Sequence, residues 1–120
     1  MRLHHVDLPV ADVAAVRAFF ETHFGLRCVF ATTGGPTVLA DDADFALTLS
    51  PRGHGDGSGW PAGFHIGFNL ASEPALRAAC ERLAAAGVAI VRPIGDLGGA
   101  PAFQCLAPDG IVVELACRPA

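Results

Sequence analysis

The chain changes from an alternating hydrophobic pattern to a helical one, and it does so twice. Residues 3–10 alternate apolar and polar positions as a strand does, with Val6 and Val10 on the same face. Apolar residues then recur at helical spacing between Asp12, a typical N-cap, and Gly25, a typical stop signal. This pattern predicts a strand that leads into a helix.

The second occurrence is an internal repeat. Residues 5–21 align without gaps with residues 65–81, and in this second copy Ser72 is the predicted N-cap and Gly87 the stop signal. Besides conservative apolar exchanges, the alignment contains six identical pairs: His5/His65, Ala11/Ala71, Ala15/Ala75, Arg17/Arg77, Ala18/Ala78 and Glu21/Glu81. These matches and the shared hydrophobic pattern indicate a duplication.

Three further strands are predicted after each helix, separated by Gly-Gly, Asp-Asp and Pro-Asp-Gly turn signals. Each half is therefore a β-α-β-β-β module, and the predicted fold is a single α+β domain, 1–120, of two modules. We expect the strands to form a cup-shaped, partly closed mixed sheet. The predicted module bounds are about 1–52 and 60–118, the Gly-rich linker is 51–59, and the strands are 27–33, 36–41, 44–50, 88–95, 101–106 and 110–117.

Strand alternation decides which polar residues share a face. His5 and His65 are predicted to face away from the helices, whereas His4 is predicted to face the helix side. Glu114 lies in an apolar strand, where a buried carboxylate is costly without a charge partner or a metal. Aligning the ends of the two halves places Thr48 at the position of Glu114. Two imidazoles and one carboxylate around a common hollow would make a facial triad for Fe²⁺, Mn²⁺ or a similar ion.

Four segments carry a resemblance to a known family: Leu3-His-His-Val-Asp-Leu-Pro-Val-Ala-Asp12, Phe24-Gly-Leu26, Phe64-His-Ile-Gly-Phe68 and Pro108-Asp-Gly-Ile-Val-Val-Glu-Leu115. They resemble the vicinal oxygen chelate superfamily, which contains glyoxalases, fosfomycin- and bleomycin-resistance proteins and extradiol dioxygenases. The resemblance implies paired modules and a divalent metal held by His5, His65 and Glu114, which chelates two neighbouring oxygens of a small-molecule substrate. Fe²⁺ or Mn²⁺ is favoured, and Zn²⁺, Ni²⁺ or Co²⁺ also fits. It further implies a homodimer in which His5 of one subunit meets His65 and Glu114 of the other.

The chain departs from the best-known members of that superfamily. Glyoxalase-like sites have a Glu or Gln ligand where this chain has Thr48, whose hydroxyl is a poor ligand. Fosfomycin transferases carry a Tyr where this chain has Gln104, and extradiol dioxygenases also use a Tyr. Two hypotheses follow: a metal-dependent enzyme of lyase, isomerase or dioxygenase type, or alternatively a non-catalytic drug-binding protein of the bleomycin-resistance type.

Other residues are candidates for lining this site. For each of them the alternative is a structural role, as a hydrogen-bonded interior group, a core aromatic or part of a linker. The candidates for proton transfer or orientation are Asp7, Gln104 and His54, and those for substrate binding are Thr48, Asn69, Trp60 and Phe64.

Composition narrows the chemistry. The chain has no Lys and no Tyr, which excludes Schiff-base chemistry and any tyrosine acid or nucleophile. The net charge of −4, without a basic cluster, argues against nucleic acid as a partner. Four widely spaced Cys without a CxxC motif indicate reduced thiols and no thiolate metal site. No apolar run is long enough to span a membrane and no signal peptide is evident, so we expect a cytoplasmic protein.

Overall fold

The computed structural model describes residues 1–53 and 59–119. The chain folds into two compact units, Met1–Ser58 (unit 1) and Gly59–Ala120 (unit 2). Part of the predicted Gly-rich linker, residues 54–58, lies outside the described residues. The elements are β1 (His5–Val10), α1 (Val13–Phe24), β2 (Arg27–Ala31), β3 (Thr37–Ala40), β4 (Ala46–Pro51), β5 (His65–Asn69), α2 (Glu73–Ala85), β6 (Ile90–Leu97), β7 (Ala100–Leu106) and β8 (Val112–Ala116).

Each unit has the predicted β-α-β-β-β order, so the α+β fold class is confirmed. The strand order is β1-β4-β3-β2 in unit 1 and β5-β8-β7-β6 in unit 2. In both units the first and last strands pair in parallel and the other neighbours pair antiparallel. Because each first strand pairs with the last strand of its own module, the described strands form two four-stranded sheets rather than one partly closed sheet. The cup shape and the homodimer stay predictions.

Strand register gives the two units equivalent positions. His5 pairs with Ala46 in unit 1, and His65 pairs with Val112 in unit 2. Two residues further along these strands, Thr48 of β4 pairs with β1, and in the same way Glu114 of β8 pairs with β5. The register therefore places Thr48 at the position of Glu114, as the alignment of the two halves predicts.

The helix ends follow the predicted capping residues. Asp12 accepts a hydrogen bond from the Ala15 amide at 3.0 Å, and Ser72 accepts one from the Ala75 amide at 3.2 Å. Helix α1 ends at Gly25, whose φ of 66° is left-handed and suits a residue without a Cβ. Helix α2 ends one residue earlier than predicted, with Ala86 as its C-cap.

Each helix covers one face of its own sheet. In unit 1, α1 packs against β3 and β4, and in unit 2, α2 packs against β6 and β7. The opposite faces carry the polar residues considered below. Of the largest fully buried side chains, unit 1 contributes Leu8, Val10, Val16, Phe20, Leu39 and Leu49, and unit 2 contributes Leu76, Leu83, Phe103, Cys105, Ile111 and Val113.

Among the described residues, no helix has the length and apolar character needed to cross a membrane.

The buried face of α1 gives a matched test of the fold. Phe20 is fully buried, whereas Phe30, on the edge strand of the same unit, is 57% exposed. We expect Phe20→Ala to lower the free energy of unfolding by about 3–5 kcal/mol, because it removes buried apolar surface and leaves a cavity. The change Phe30→Ala removes the same atoms and should alter it by less than about 1 kcal/mol. Urea unfolding of both variants checks this, and equal losses would contradict the packing described here.

Candidate functional site

His65 begins strand β5 immediately after a tight turn. Gly63 has a left-handed φ of 83°, and its carbonyl oxygen lies 2.9 Å from His65 Nδ1. Because a carbonyl oxygen only accepts hydrogen bonds, Nδ1 carries the proton in this contact and donates it. In the neutral ring Nε2 then keeps its lone pair, and this nitrogen lies 3.8 Å from Glu114 Oε1.

Glu114 lies in the middle of β8, flanked by the buried Val113 and Leu115. The side chain of Glu114 points to the other face of the sheet and is 14% exposed. Two groups besides His65 meet its carboxylate. Gln104 Nε2 donates to Oε1 at 3.2 Å, and Arg118 Nη2 lies 3.5 Å from Oε2. The carboxylate is therefore held by a neutral donor on one oxygen and a cation on the other.

Arg118 was not predicted, although it is the cation nearest to Glu114. Its guanidinium donates to the carbonyl oxygens of Leu97 at 3.1 Å and Gly98 at 3.3 Å. Its backbone is held by Asn69, which accepts from the Arg118 amide at 2.8 Å and donates to the Arg118 carbonyl oxygen at 3.1 Å. Arg118 follows the last strand, where no periodic pattern marks which face a side chain takes.

His5 begins β1, as His65 begins β5, and it is exposed. Its Nδ1 lies 3.2 Å from His4 Nδ1, with one ring as donor and the other as acceptor. His4 lies before β1, and its ring meets that of His5, although the sequence predicts that the two side chains take opposite faces. None of the hydrogen bonds in the described residues uses His5 Nε2. In both histidines, then, Nδ1 has a partner and Nε2 faces no hydrogen-bond partner.

Asp7 and Thr48 lie opposite each other on β1 and β4. Asp7 Oδ1 accepts a hydrogen bond from Ser50 Oγ at 2.6 Å, and Asp7 is exposed. Thr48 is half-buried and occupies the register position of Glu114. In unit 1 this position therefore offers a hydroxyl where unit 2 offers a carboxylate.

The two predicted aromatic residues lie together. The rings of Trp60 and Phe64 stack with centroids 4.6 Å apart and an interplanar angle of 12°. Trp60 Nε1 donates to the Asp109 carbonyl oxygen at 3.1 Å, which fixes the indole at the β7–β8 turn. The remaining candidate, His54, lies outside the described residues.

Two side chains of unit 2, those of His65 and Glu114, fit a metal ion as ligands. Within residues 1–53 and 59–119, no three His, Cys, Asp or Glu side chains are grouped as a complete metal site. A metal-binding imidazole in proteins usually donates its second nitrogen to a carbonyl or carboxylate, which fixes the ring. His65 has this arrangement, with Nε2 directed toward a carboxylate oxygen. The predicted third ligand, His5, belongs to unit 1, so the complete triad stays a prediction.

One family model covers nearly the whole chain. The family model of the glyoxalase/bleomycin resistance protein/dioxygenase superfamily matches residues 2–115. The chain belongs to this superfamily.

Solved members of the glyoxalase/bleomycin resistance protein/dioxygenase superfamily have the same fold. A possible glyoxalase from Bacillus cereus is 34% identical, with a TM-score of 0.84 over 98% of this chain and 99% of that one. A lactoylglutathione lyase from Agrobacterium tumefaciens is 19% identical, with a TM-score of 0.78 over 96% and 92%. A fosfomycin resistance protein from Listeria monocytogenes is 20% identical, with a TM-score of 0.77 over 99% and 94%. A search of the curated proteins finds no match.

The thiols take no part in this arrangement. All four cysteines are free, and Cys105, directly after Gln104 in β7, is fully buried on the opposite face of the sheet. Burial raises the pKa of the Cys105 thiol to about 11, with a smaller contribution from Cys80. Cys105 is therefore a neutral thiol at physiological pH, as the sequence predicts for a buried cysteine.

The raised pKa gives a labelling test. Thiolate is the reactive form, so at pH 8 only about one Cys105 in a thousand is reactive even before burial limits access. We expect iodoacetamide at pH 8 to leave Cys105 unmodified in the folded protein and to label it in urea, as measured by peptide mass spectrometry. Labelling of Cys105 in the folded protein as fast as in urea would contradict this.

Proposed function

We propose that the protein is a metal-dependent enzyme of this superfamily that acts on a small molecule with two neighbouring oxygens. His5, His65 and Glu114 would hold a divalent ion, Mn²⁺ or Fe²⁺ before Zn²⁺, Ni²⁺ or Co²⁺. The observation that carries the proposal is His65, whose Nδ1 is fixed by Gly63 while Nε2 lies 3.8 Å from Glu114 Oε1.

The relatives support a divalent ion. A structure of a variant of the Listeria monocytogenes fosfomycin resistance protein is complexed with Mn(II) and 1S,2S-dihydroxypropylphosphonic acid, and it is 19% identical to this chain. When bound, such an ion acts as a Lewis acid that polarises a substrate oxygen. With three protein ligands, open coordination positions are left for the two substrate oxygens.

The chain's own residues have separate roles in this proposal. Gln104 holds Glu114 Oε1 through its amide, and Arg118 offsets the charge on Oε2. Asp7 is the candidate proton acceptor, with Ser50 fixing one carboxylate oxygen. Thr48, at the position equivalent to Glu114, offers a hydroxyl to the substrate rather than a fourth ligand. The three-ligand set leaves lyase, isomerase and dioxygenase chemistry as candidates, and Thr48 in place of a fourth ligand weighs against a glyoxalase-like reaction.

Metal binding tests the proposal directly. We expect the wild-type protein to bind Mn²⁺, and His65→Ala and Glu114→Ala to weaken binding at least about tenfold, because each removes a ligand atom. His23→Ala is the matched control, since His23 lies in the last turn of α1 beside Phe19. Isothermal titration calorimetry and the electron paramagnetic resonance signal of free Mn²⁺ measure the affinity. If wild-type protein and both ligand variants bind Mn²⁺ equally weakly, the drug-binding alternative replaces the enzyme.

The proposal places His5 of one subunit of a homodimer beside His65 and Glu114 of its partner. A mixed dimer of one His5→Ala subunit and one Glu114→Ala subunit would then contain one site with both changes and one intact site. We expect the mixed dimer, isolated with two affinity tags, to bind about half of the Mn²⁺ that the wild-type dimer binds. Each variant alone should bind almost none. A mixed dimer without recovered binding would assign all three ligands to one chain, and a monomeric protein would likewise overturn the shared site.

A further inference from the structure

An irregularity in strand β6 turns Arg92 toward the face that carries Glu114. Ile90 pairs with Cys105, yet Arg92, two residues later, pairs with Gln104, the immediate neighbour of Cys105. The extra residue in β6 is a β-bulge, which reverses the face taken by the residues that follow it. Cys105 faces the buried side, and Gln104 contacts Glu114 on the opposite side. As the register partner of Gln104, Arg92 shares its face.

Arg92 therefore completes a row of polar residues across the sheet of unit 2. Gln104 pairs with Glu114 on one side and with Arg92 on the other. Adjacent strands are about 4.8 Å apart, so the backbone at Arg92 lies about 10 Å from that at Glu114. The row runs from the candidate metal ligand to a cation at the edge of the sheet.

The charge of Arg92 is not used within the described part of the chain. It is exposed, and none of the hydrogen bonds and ion pairs among the described residues includes it. By contrast, Arg17 pairs with Glu21 and Arg77 with Glu73. Glu114 already has Arg118 beside it, so Arg92 is not needed to balance the carboxylate.

Unit 1 contains the same bulge with a different residue. Between Cys28 and Phe30 the pairing of β2 with β3 shifts in the same way, which makes Phe30 the counterpart of Arg92. Phe30 pairs with Val38, the counterpart of Gln104, and is 57% exposed. The bulge is thus a property of the module, whereas the side chain it presents differs. Beside Thr48, unit 1 presents the apolar Val38 and Phe30. Beside Glu114, unit 2 presents Gln104 and the guanidinium of Arg92.

We propose that Arg92 is a specificity-determining residue that binds an anionic group of the substrate, a carboxylate or a phosphate-type group, on the side away from the two chelating oxygens. This inference rests on the proposed function, because it assumes that Glu114 marks the reacting centre. A guanidinium suits such a group because its planar donors match two oxygens of a carboxylate or phosphate. The substrate class is then a vicinal-oxygen compound that also carries an anion.

Three probes and four proteins test the inference. The probes are catechol, which is uncharged, 3,4-dihydroxybenzoate, which adds a carboxylate, and 3,4-dihydroxyphenylphosphonate, which adds a phosphonate. The proteins are the wild type, Arg92→Gln, Arg92→Lys and Arg82→Gln. Arg82 lies in the last turn of α2, exposed and without a hydrogen bond or ion pair of its side chain among the described residues, so its change alters the net charge of unit 2 equally. Affinities for the Mn²⁺-loaded proteins are measured by calorimetry.

We expect wild-type protein to prefer at least one anionic probe over catechol by about tenfold, in keeping with a charge-assisted hydrogen-bonded pair. The anionic probe that binds more tightly than catechol identifies the substrate group that Arg92 binds as a carboxylate or a phosphate-type group. Arg92→Gln should abolish the preference and leave catechol unchanged, Arg92→Lys should keep part of it, and Arg82→Gln should keep all of it.

Other results would overturn the inference. A preference that survives in Arg92→Gln, or no preference in wild-type protein that binds catechol, means that Arg92 does not contact the ligand. Aggregation of Arg92→Gln with unchanged affinities would assign Arg92 to protection of the sheet edge. Wild-type protein that binds no Mn²⁺ overturns the proposed function itself, which separates that failure from failure of the Arg92 inference.

Discussion

The parallel pairing of the first and last strands of each module determines which side chains meet at the candidate site. In unit 2 it sets Gly67 opposite Glu114, and His65, two residues earlier on the same face, reaches the carboxylate. A slip of one residue would turn Glu114 toward the buried side of the sheet. The register is held because Val113 and Leu115 are buried on that side. Hydrophobic packing under α2 thus fixes a polar arrangement on the opposite face.

Because the module is duplicated, equivalent backbone positions of the two units carry side chains of different chemistry. Equivalent register positions hold Thr48 and Glu114, and equivalent bulges present Phe30 and Arg92. These backbone features are common to both units. The side chains on the polar face lie outside the hydrophobic core, and they differ between the two units.

Much of this arrangement follows from the sequence, because alternation and capping are local. The face of the sheet on which His65 and Glu114 lie can be predicted from the two-residue period of a strand. The start of each helix can be predicted from a capping residue such as Asp12 or Ser72. The contacts of Arg118 and the face of Arg92 could not be predicted in this way. The contacts of Arg118 depend on a segment that follows the last strand and has no periodic pattern. The face of Arg92 depends on a β-bulge, which becomes visible only when β6 is paired with β7.

The groups around Glu114 determine whether its burial is evidence for a metal. A carboxylate in an apolar strand requires a charge partner or an ion, and Arg118 supplies the charge partner. Burial of Glu114 is therefore accounted for without a metal. The residue that favours a metal is instead His65, whose Nδ1 is fixed by Gly63 and whose Nε2 lies 3.8 Å from Oε1, beyond hydrogen-bond distance. Arg118 lies on the other oxygen, and Oε1 accepts one hydrogen bond from Gln104. A divalent ion between Oε1 and Nε2 would gain both atoms as ligands without displacing the arginine.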